Sequence, residues 1–329
     1  MKIPAKYAVS EHNNRVRCVL CPYNCLIAEG HRGVCGIRSN QGGVLTAETY
    51  NTISAMNLDP IEKKPLYHFY PGLSILSVGT IGCSFHCMFC QNWELVEGDV
   101  PTHETTREYL YEQARQTDSM GIAFTYNEPF IWFEFVEDTA QFFHDRGMKN
   151  VLVTNGFVNP GPLADILPLI DAMNIDLKAM DDDFYRHLCK GRLDPVKNTI
   201  ETALNKGVHV ELTNLLVTGH NTSEDQIHRL VDYAASLGKD TILHFSRYFP
   251  NYKLDAPPTP VEVLESAYAY ARKKLNYVYV GNVINSTTDS TYCPACGATV
   301  IERIGYTVRI TGLKGDRCAA CGGTIAIRV

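Results

Sequence analysis

The sequence predicts an α/β protein built on a parallel sheet, and three observations predict it. From about residue 73 to residue 283, short β-branched or apolar runs alternate with helical patterns. That order generates parallel strands joined by right-handed crossovers. Three cysteines, Cys83, Cys87 and Cys90, follow directly on the first of these runs, Leu73–Thr80. Polar residues then stand at the end of one strand after another, the rim where folds of this kind gather their chemistry.

Composition narrows the function classes. The 329 residues are enough for one large α/β domain with small appendages. Hydrophobic residues make up 45% and charged ones 20%, an ordinary globular balance. A net charge of −6 without a basic tract argues against a nucleic-acid partner. No apolar run approaches the ~20 residues that span a membrane. The opening Met-Lys-Ile-Pro-Ala-Lys-Tyr has no apolar core and does not read as a signal peptide. Eleven of the twelve cysteines fall into three tight clusters, a pattern of metal binding in a reducing cytosol rather than of disulfides. A cytoplasmic protein without a membrane partner is expected.

Residues 1–70 form the lead-in. Cys18-Val-Leu-Cys21-Pro-Tyr-Asn-Cys25 is followed, after a glycine-containing loop, by Cys35. Four thiolates so placed can close a tetrahedral site. The simpler expectation is a structural zinc that staples a segment too short for its own core. The alternative is an auxiliary iron–sulfur cluster that relays electrons, and spacing alone leaves both open.

Residues 71–285 hold the sheet. Strands are expected at Ser74–Thr80, Ile122–Tyr126, Asn150–Asn155, Ala172–Lys178, His209–Val217, Thr241–Tyr248 and Tyr277–Asn282. Helices are expected at Glu104–Met120, Pro129–Arg146, Pro160–Ile170, Lys197–Lys206, Ser223–Leu237 and Thr259–Lys274. Cys83, Cys87 and Cys90, on one short loop, can wrap one corner of an iron–sulfur cube and leave its fourth iron without a protein ligand. His86 sits inside that loop, where it is badly placed to complete a zinc site instead. The strand ends offer Tyr126, Asn127 and Glu128, then Thr154 and Asn155, then Asp176 and Lys178. They continue with Glu211 to Asn214, His244 and Asn282, and all should share the rim with the cysteine loop. Thr154 or Asn155 can equally serve local loop backbone.

Residues 290–329 read as a small module after a linker at 285–289. Cys293-Pro-Ala-Cys296-Gly and Cys318-Ala-Ala-Cys321-Gly are paired knuckles, expected to form a zinc ribbon, with a rubredoxin-like iron site as the alternative. Other features read blandly. Cys189 is an incidental cysteine, Trp132, Phe133 and Phe135 pack a helix, and Lys63-Lys64 is solvated or anchors a loop. Asp181–Asp183 marks a helix N-terminus.

The Cys83-x3-Cys87-x2-Cys90 loop, with Phe89 before its last cysteine, resembles the signature of the radical S-adenosylmethionine (SAM) superfamily. The succession of Tyr126-Asn127-Glu128-Pro129, Val153-Thr154-Asn155-Gly156-Phe157, Asp176-Leu177-Lys178 and Tyr277–Asn282 resembles the branch that contains glycyl-radical-enzyme activases. More closely it resembles the AmmeMemoRadiSam system radical SAM enzymes, with which it shares the N-terminal cysteine segment and the stretch Ile61–Leu66. The resemblance implies a partial (β/α)6-type radical SAM barrel with a Cys-rich N-terminal segment and a zinc-ribbon-like C-terminal module. It also implies a [4Fe–4S] cluster on Cys83, Cys87 and Cys90, whose electron cleaves SAM to a hydrogen-abstracting 5′-deoxyadenosyl radical. SAM would meet Phe89 at its adenine, the Tyr126–Pro129 segment at its amine, Asp176 and Lys178 at its carboxylate and His244 at its adenosine. Thr154, Asn155, Asn214 and Asn282 complete the candidate pocket. A flavodoxin or ferredoxin as electron donor, and Memo-like and AMME-like partner proteins, are implied as well. One departure stands out: activases carry an acidic residue where this chain has Val153. The alternative functions are a glycyl-radical-enzyme activase and a non-catalytic metal-binding or electron-transfer protein.

Overall fold

The computed structural model describes residues 1–283 and 286–329. Seven strands carry the α/β alternation: β1 (Ser74–Gly79), β2 (Gly121–Phe124), β3 (Lys149–Thr154), β4 (Ala172–Asp176), β5 (His209–Leu216), β6 (Ile242–Arg247) and β7 (Tyr277–Gly281). Each lies within two residues of its expected end. They are legible because a parallel strand is covered on both faces and reads as a nearly continuous apolar run. β2, Gly-Ile-Ala-Phe, is buried at all four positions.

The helices are α1 (Arg107–Gln116), α2 (Phe133–His144), α3 (Pro160–Ile166), α4 (Leu193–Asn205), α5 (Glu224–Ser236) and α6 (Val261–Ala271). In α5 the buried Ile227, Leu230, Val231 and Ala234 trace one helical face. Its N-cap, Ser223, accepts from the Gln226 amide, and Glu224 and Asp225 occupy the first turn. α1 is shorter than expected because Thr106 caps it, while His103–Glu104 pairs as a strand with Thr52–Ile53. α4 starts four residues early, at Leu193; Pro195 falls in its first turn, where no amide is missed.

The chain forms two compact units. The first comprises Met1–Asp59, Ser74–Met173 and Arg186–His209, and the second Pro60–Leu73, Asn174–Tyr185 and Val210–Val329. In the first, β2 pairs in parallel with β1 (Phe124 opposite Val78) and with β3 (Phe124 opposite Leu152). A strand the sequence reading missed, Ala55–Pro60, lies beside β1. Two small antiparallel sheets, built from strands between Ile3 and Ala47, hold the cysteine-rich lead-in.

In the second unit β6 pairs in parallel with β5 (His244 opposite Thr213) and with β7 (His244 opposite Tyr279). The tail does not fold around itself alone. Cys293, Val300, Ile301, Cys318 and Ile325 share one apolar cluster with Tyr67, Ile242, Tyr277 and Tyr279. Arg303, 0% exposed, joins the layers: it pairs with Glu62 at 3.4 Å, donates to the Tyr67 carbonyl at 2.6 Å and lies over the Tyr67 ring.

Three bland readings need revising or sharpening. The linker begins at Asn285, outside the described residues, but Ser286–Asp289 is a short helix with Asp289 buried. Of the Lys63–Lys64 pair, Lys63 is exposed, while Lys64, 2% exposed, is not solvated, which leaves the loop-anchoring alternative for it. The acidic run is a helix start, since the Asp181 side chain accepts from the Asp183 amide.

Candidate active site

The first unit builds the cysteine loop from the strand ends outward. β1 delivers the chain to Gly79, whose missing side chain is required: a Cβ there would sit 2.5 Å from the Thr125 carbonyl oxygen. Beyond β2 the chain turns at Tyr126, held at φ +71°, a conformation rare outside glycine and typical of constrained sites. Its hydroxyl donates to Asp59 at 2.7 Å, and burial followed by that carboxylate raises its pKa to about 12. This turn presents Asn127 to the loop. The Asn127 amide nitrogen donates to the carbonyls of Ile81 (3.3 Å) and Gly82 (2.9 Å), and its oxygen accepts from the Thr80 amide (3.2 Å). At the other end of the loop Asn92 donates to the Tyr126 carbonyl at 2.7 Å. One turn therefore grips both ends of residues 80–92. Asn92 was missed because nothing in the sequence marks it.

Glu128 ties β3 to the same turn. It is 2% exposed, and its carboxylate accepts from the Phe130 amide (3.0 Å), the Thr154 hydroxyl (2.7 Å) and the Asn155 amide (2.8 Å). Asn155 in turn reaches the loop, donating to the Ser84 hydroxyl at 3.1 Å and approaching Cys83 Sγ at 3.8 Å. The Phe85 amide also points at Cys83 Sγ, at 3.3 Å. Thr154 accepts from the Gly156 amide, so part of its role is local. Behind the loop, His86 and Met88 donate their amides to the carbonyls of Cys189 and Leu188. A side chain at Gly191 would collide with Phe85. The segment around Cys189 is thus a backing plate for the loop, which its lone cysteine does not advertise. His86 is turned to the Val34 carbonyl (3.0 Å) and Glu97 (3.3 Å).

Replacing Glu128 with Gln should cost about 1–3 kcal/mol. An amide group would then face donors that now have an acceptor. Urea unfolding of the variant against wild type checks this, and an unchanged midpoint counts against the tie between β3 and the loop.

The second unit carries the later strand ends. Asp176 closes β4, and its carboxylate meets Lys178 Nζ at 2.9 Å. Asn214 donates to the carbonyls of Leu177 and Lys178, and the buried Asn221, which the sequence reading overlooked, donates to Lys178 as well. Asn282, at φ +60°, donates to the Ser246 hydroxyl and the Arg247 carbonyl. His244 corrects the expectation of a strand-end histidine. It is the third of six residues in β6, three short of the end at Arg247. Its Nε2 meets Glu211 at 2.7 Å, and its ring packs on Tyr67 and Tyr279. The cause is Glu211: a 0% exposed carboxylate, already accepting from the amides of Tyr67 and His68, draws in a third donor.

The three cysteine sets differ in spacing. In the tail, Cys293 and Cys321 stand 3.6 Å apart and Cys296 and Cys318 3.8 Å apart. Among the described residues this quartet is the group of metal-ligating side chains whose ligand atoms all lie within 4.8 Å of one another. Gly297 and Gly322, both at φ +75°, turn the knuckles, and the Gly323 amide faces Cys321 Sγ at 3.4 Å. Cys83, Cys87 and Cys90 do not close to that spacing. Wider thiols with N–H donors aimed at sulfur fit a cluster larger than one ion. Burial, then the nearby Glu128 and Cys87, push the Cys83 thiol well above its ordinary pKa.

The comparisons agree with this loop. The family described as the Radical SAM superfamily matches residues 77–234, and the chain belongs to it. Over 323 residues, 96% of both chains, it is 44% identical to an uncharacterized protein of Methanocaldococcus jannaschii. Within the superfamily it is related to pyruvate formate-lyase activating enzymes. It is 27% identical to the Pyruvate formate-lyase 1-activating enzyme of Escherichia coli K12 over 164 residues, 48% of this chain and 67% of that one. Among solved structures, Streptococcus suis SuiB matches with a TM-score of 0.50 at 15% identity, covering 64% of this chain and 48% of its own, a likeness of fold. Among the described residues, no helix is long and apolar enough to cross a membrane.

Proposed function

We propose that this chain cleaves SAM reductively at a [4Fe–4S] cluster held by Cys83, Cys87 and Cys90 and directs the resulting radical at a substrate presented by a partner protein. The observation that carries the reading is the bracing of the cysteine loop, by Asn127 and Asn92 at its ends and Asn155 at Cys83. When bound, the cluster and SAM supply the carbon–sulfur cleavage and the hydrogen-abstracting radical. The chain's own residues hold and orient. Asn127 fixes the loop backbone, and Asn155 and the Phe85 amide aim donors at Cys83 Sγ. Glu128 holds Asn155 in place, and Phe89, 4% exposed, offers an apolar wall for the adenine. Asp176 and Lys178 are assigned to the SAM carboxylate. For His244, the hydrogen bond to Glu211 supports a structural role instead.

A radical must be kept from water. The helices after the strands are short, the longest having 13 residues, which supports a substrate that closes the site by docking. Memo-like and AMME-like proteins are the partners we assign, with a flavodoxin or ferredoxin as electron donor. A second reading, a glycyl-radical-enzyme activase, is favoured by the similarity to the Escherichia coli enzyme. Anaerobic assay of 5′-deoxyadenosine release separates the two. The chain alone should release it slowly, and the correct partner should raise the rate at least about tenfold. Stimulation by a glycyl radical enzyme instead would select the second reading, and rapid coupled turnover of a free small molecule would overturn both.

For the tail quartet we propose zinc. Thiolates ~2.3 Å from a tetrahedral zinc stand roughly 3.8 Å from one another, the spacing found. Replacing Cys296 and Cys321 with Ser should remove one zinc per chain, measured by elemental analysis of protein purified in air. Unchanged zinc would count against the assignment.

A further inference from the structure

Two four-cysteine sets flank the strand-and-helix region, and only one has the spacing of a single ion. Cys18, Cys21, Cys25 and Cys35 line a small cavity together with Val34 and Arg38. The first and third of these thiols sit on a hairpin whose strands, Val16–Cys18 and Leu26–Ile27, pair antiparallel, with the Cys18 amide donating to the Cys25 carbonyl at 2.9 Å. The fourth is delivered by a turn closed from the Gly36 amide to the Gly33 carbonyl at 3.0 Å. The second is held by the Asn24 amide, which donates to the Cys21 carbonyl at 3.0 Å, so backbone hydrogen bonds fix all four positions. Yet no three of the sulfurs come within 4.8 Å of one another. Thiols round one zinc must close to roughly 3.8 Å, as the tail thiols do. A cube of four irons and four sulfides stands between its thiolates and keeps them apart, as at the loop of Cys83, Cys87 and Cys90.

A second observation points to a bound group. Arg38 is 1% exposed and is among the residues that line the same cavity. Its two terminal nitrogens are engaged with Glu134 and with the carbonyls of Lys6 and Ile131, and its buried Nε, bonded to no nitrogen or oxygen, lies on a guanidinium that reaches the Cys18 thiol. A buried donor that reaches one of these thiols is placed to give its proton to a metal-bound sulfur there.

The set also abuts the catalytic loop. A side chain at Gly82, the residue before Cys83, would collide with the Cys35 carbonyl oxygen. The His86 ring meets the carbonyl of Val34, next to Cys35, at 3.0 Å. Tyr23, between Cys21 and Cys25, stacks edge-on with Phe157, which packs on Phe85 of the loop at 5.1 Å.

We infer that Cys18, Cys21, Cys25 and Cys35 hold a second [4Fe–4S] cluster, closed by four protein thiolates, in place of the structural zinc that was the simpler expectation. With every corner taken it has no iron free for SAM, and what it can exchange is an electron. The inference does not rest on the SAM chemistry, and the test keeps the two apart. Full-length protein reconstituted anaerobically with iron and sulfide should carry about eight irons, eight sulfides and one zinc per chain. The triple variant Cys83→Ala, Cys87→Ala, Cys90→Ala should keep about four irons, with a reduced electron paramagnetic resonance signal that SAM leaves unchanged. The double variant Cys21→Ala, Cys25→Ala should keep the other four, with a signal that SAM alters. Four irons with two zincs in the wild type would overturn the inference whether or not either variant folds. So would a triple variant that folds, by circular dichroism, and retains no iron.

Discussion

Replacing Cys83, Cys87 and Cys90 with Ala should abolish 5′-deoxyadenosine formation and remove the oxygen-sensitive [4Fe–4S] signal that responds to SAM. The loss should reach the uncatalysed background, because reductive cleavage of SAM belongs to the cluster and no side chain replaces it. The fold should survive the change. The loop is held by Asn127, Asn92 and Asn155 and by the carbonyls of Leu188 and Cys189, and none of the hydrogen bonds from Asn127 and Asn92 passes through sulfur. The variant should therefore show an unchanged far-ultraviolet circular dichroism spectrum while its catalysis is gone. Cleavage that persists in the triple variant sinks the assignment of these thiols.

What the sequence made legible follows from how each feature is encoded. β1 to β7 could be read because parallel strands are apolar on both faces, and the cysteine loop because its chemistry is local. Asn127 and Glu128 could be placed because they follow β2 directly. The rest depends on contacts between distant segments. Asn92 matters through the Tyr126 carbonyl, 34 residues away, and no spacing rule reports that. His244 lies beside strand-end residues in the sequence, and its commitment to Glu211 emerges only when β5 and β6 pair. The tail knuckles were legible as a metal site, but not their shared core with Tyr277 and Tyr279, because an apolar face in the sequence does not name its partner. The choice between zinc and a cluster at Cys18–Cys35 was open for the same reason. Sequence spacing sets which thiols meet, while the hairpin and the Gly33–Gly36 turn set how far apart they stop.

Glu134→Ala should cost about 3–5 kcal/mol of stability, the usual penalty for leaving a buried charge without its partner. Glu134, 4% exposed on α2, receives Arg38 through two hydrogen bonds of 2.8 and 3.0 Å and the Lys6 amide through a third of 2.7 Å. Arg38 lies in the strand Arg38–Gln41 and Lys6 between two others of the lead-in. One carboxylate on the helix that follows the Tyr126–Pro129 turn thereby anchors the cysteine-rich segment beside the catalytic loop. Without it the guanidinium keeps only the Lys6 and Ile131 carbonyls, too few to offset its lost hydration. A drop of roughly 5–15 °C in the thermal midpoint should result. The double variant Arg38→Met, Glu134→Met should recover at least half of it, because removing both charges also removes the desolvation cost. A single variant within about 1 kcal/mol of wild type would mean that the pair is solvated, as exposed ion pairs of that weight are, and that the lead-in is anchored by its apolar contacts instead.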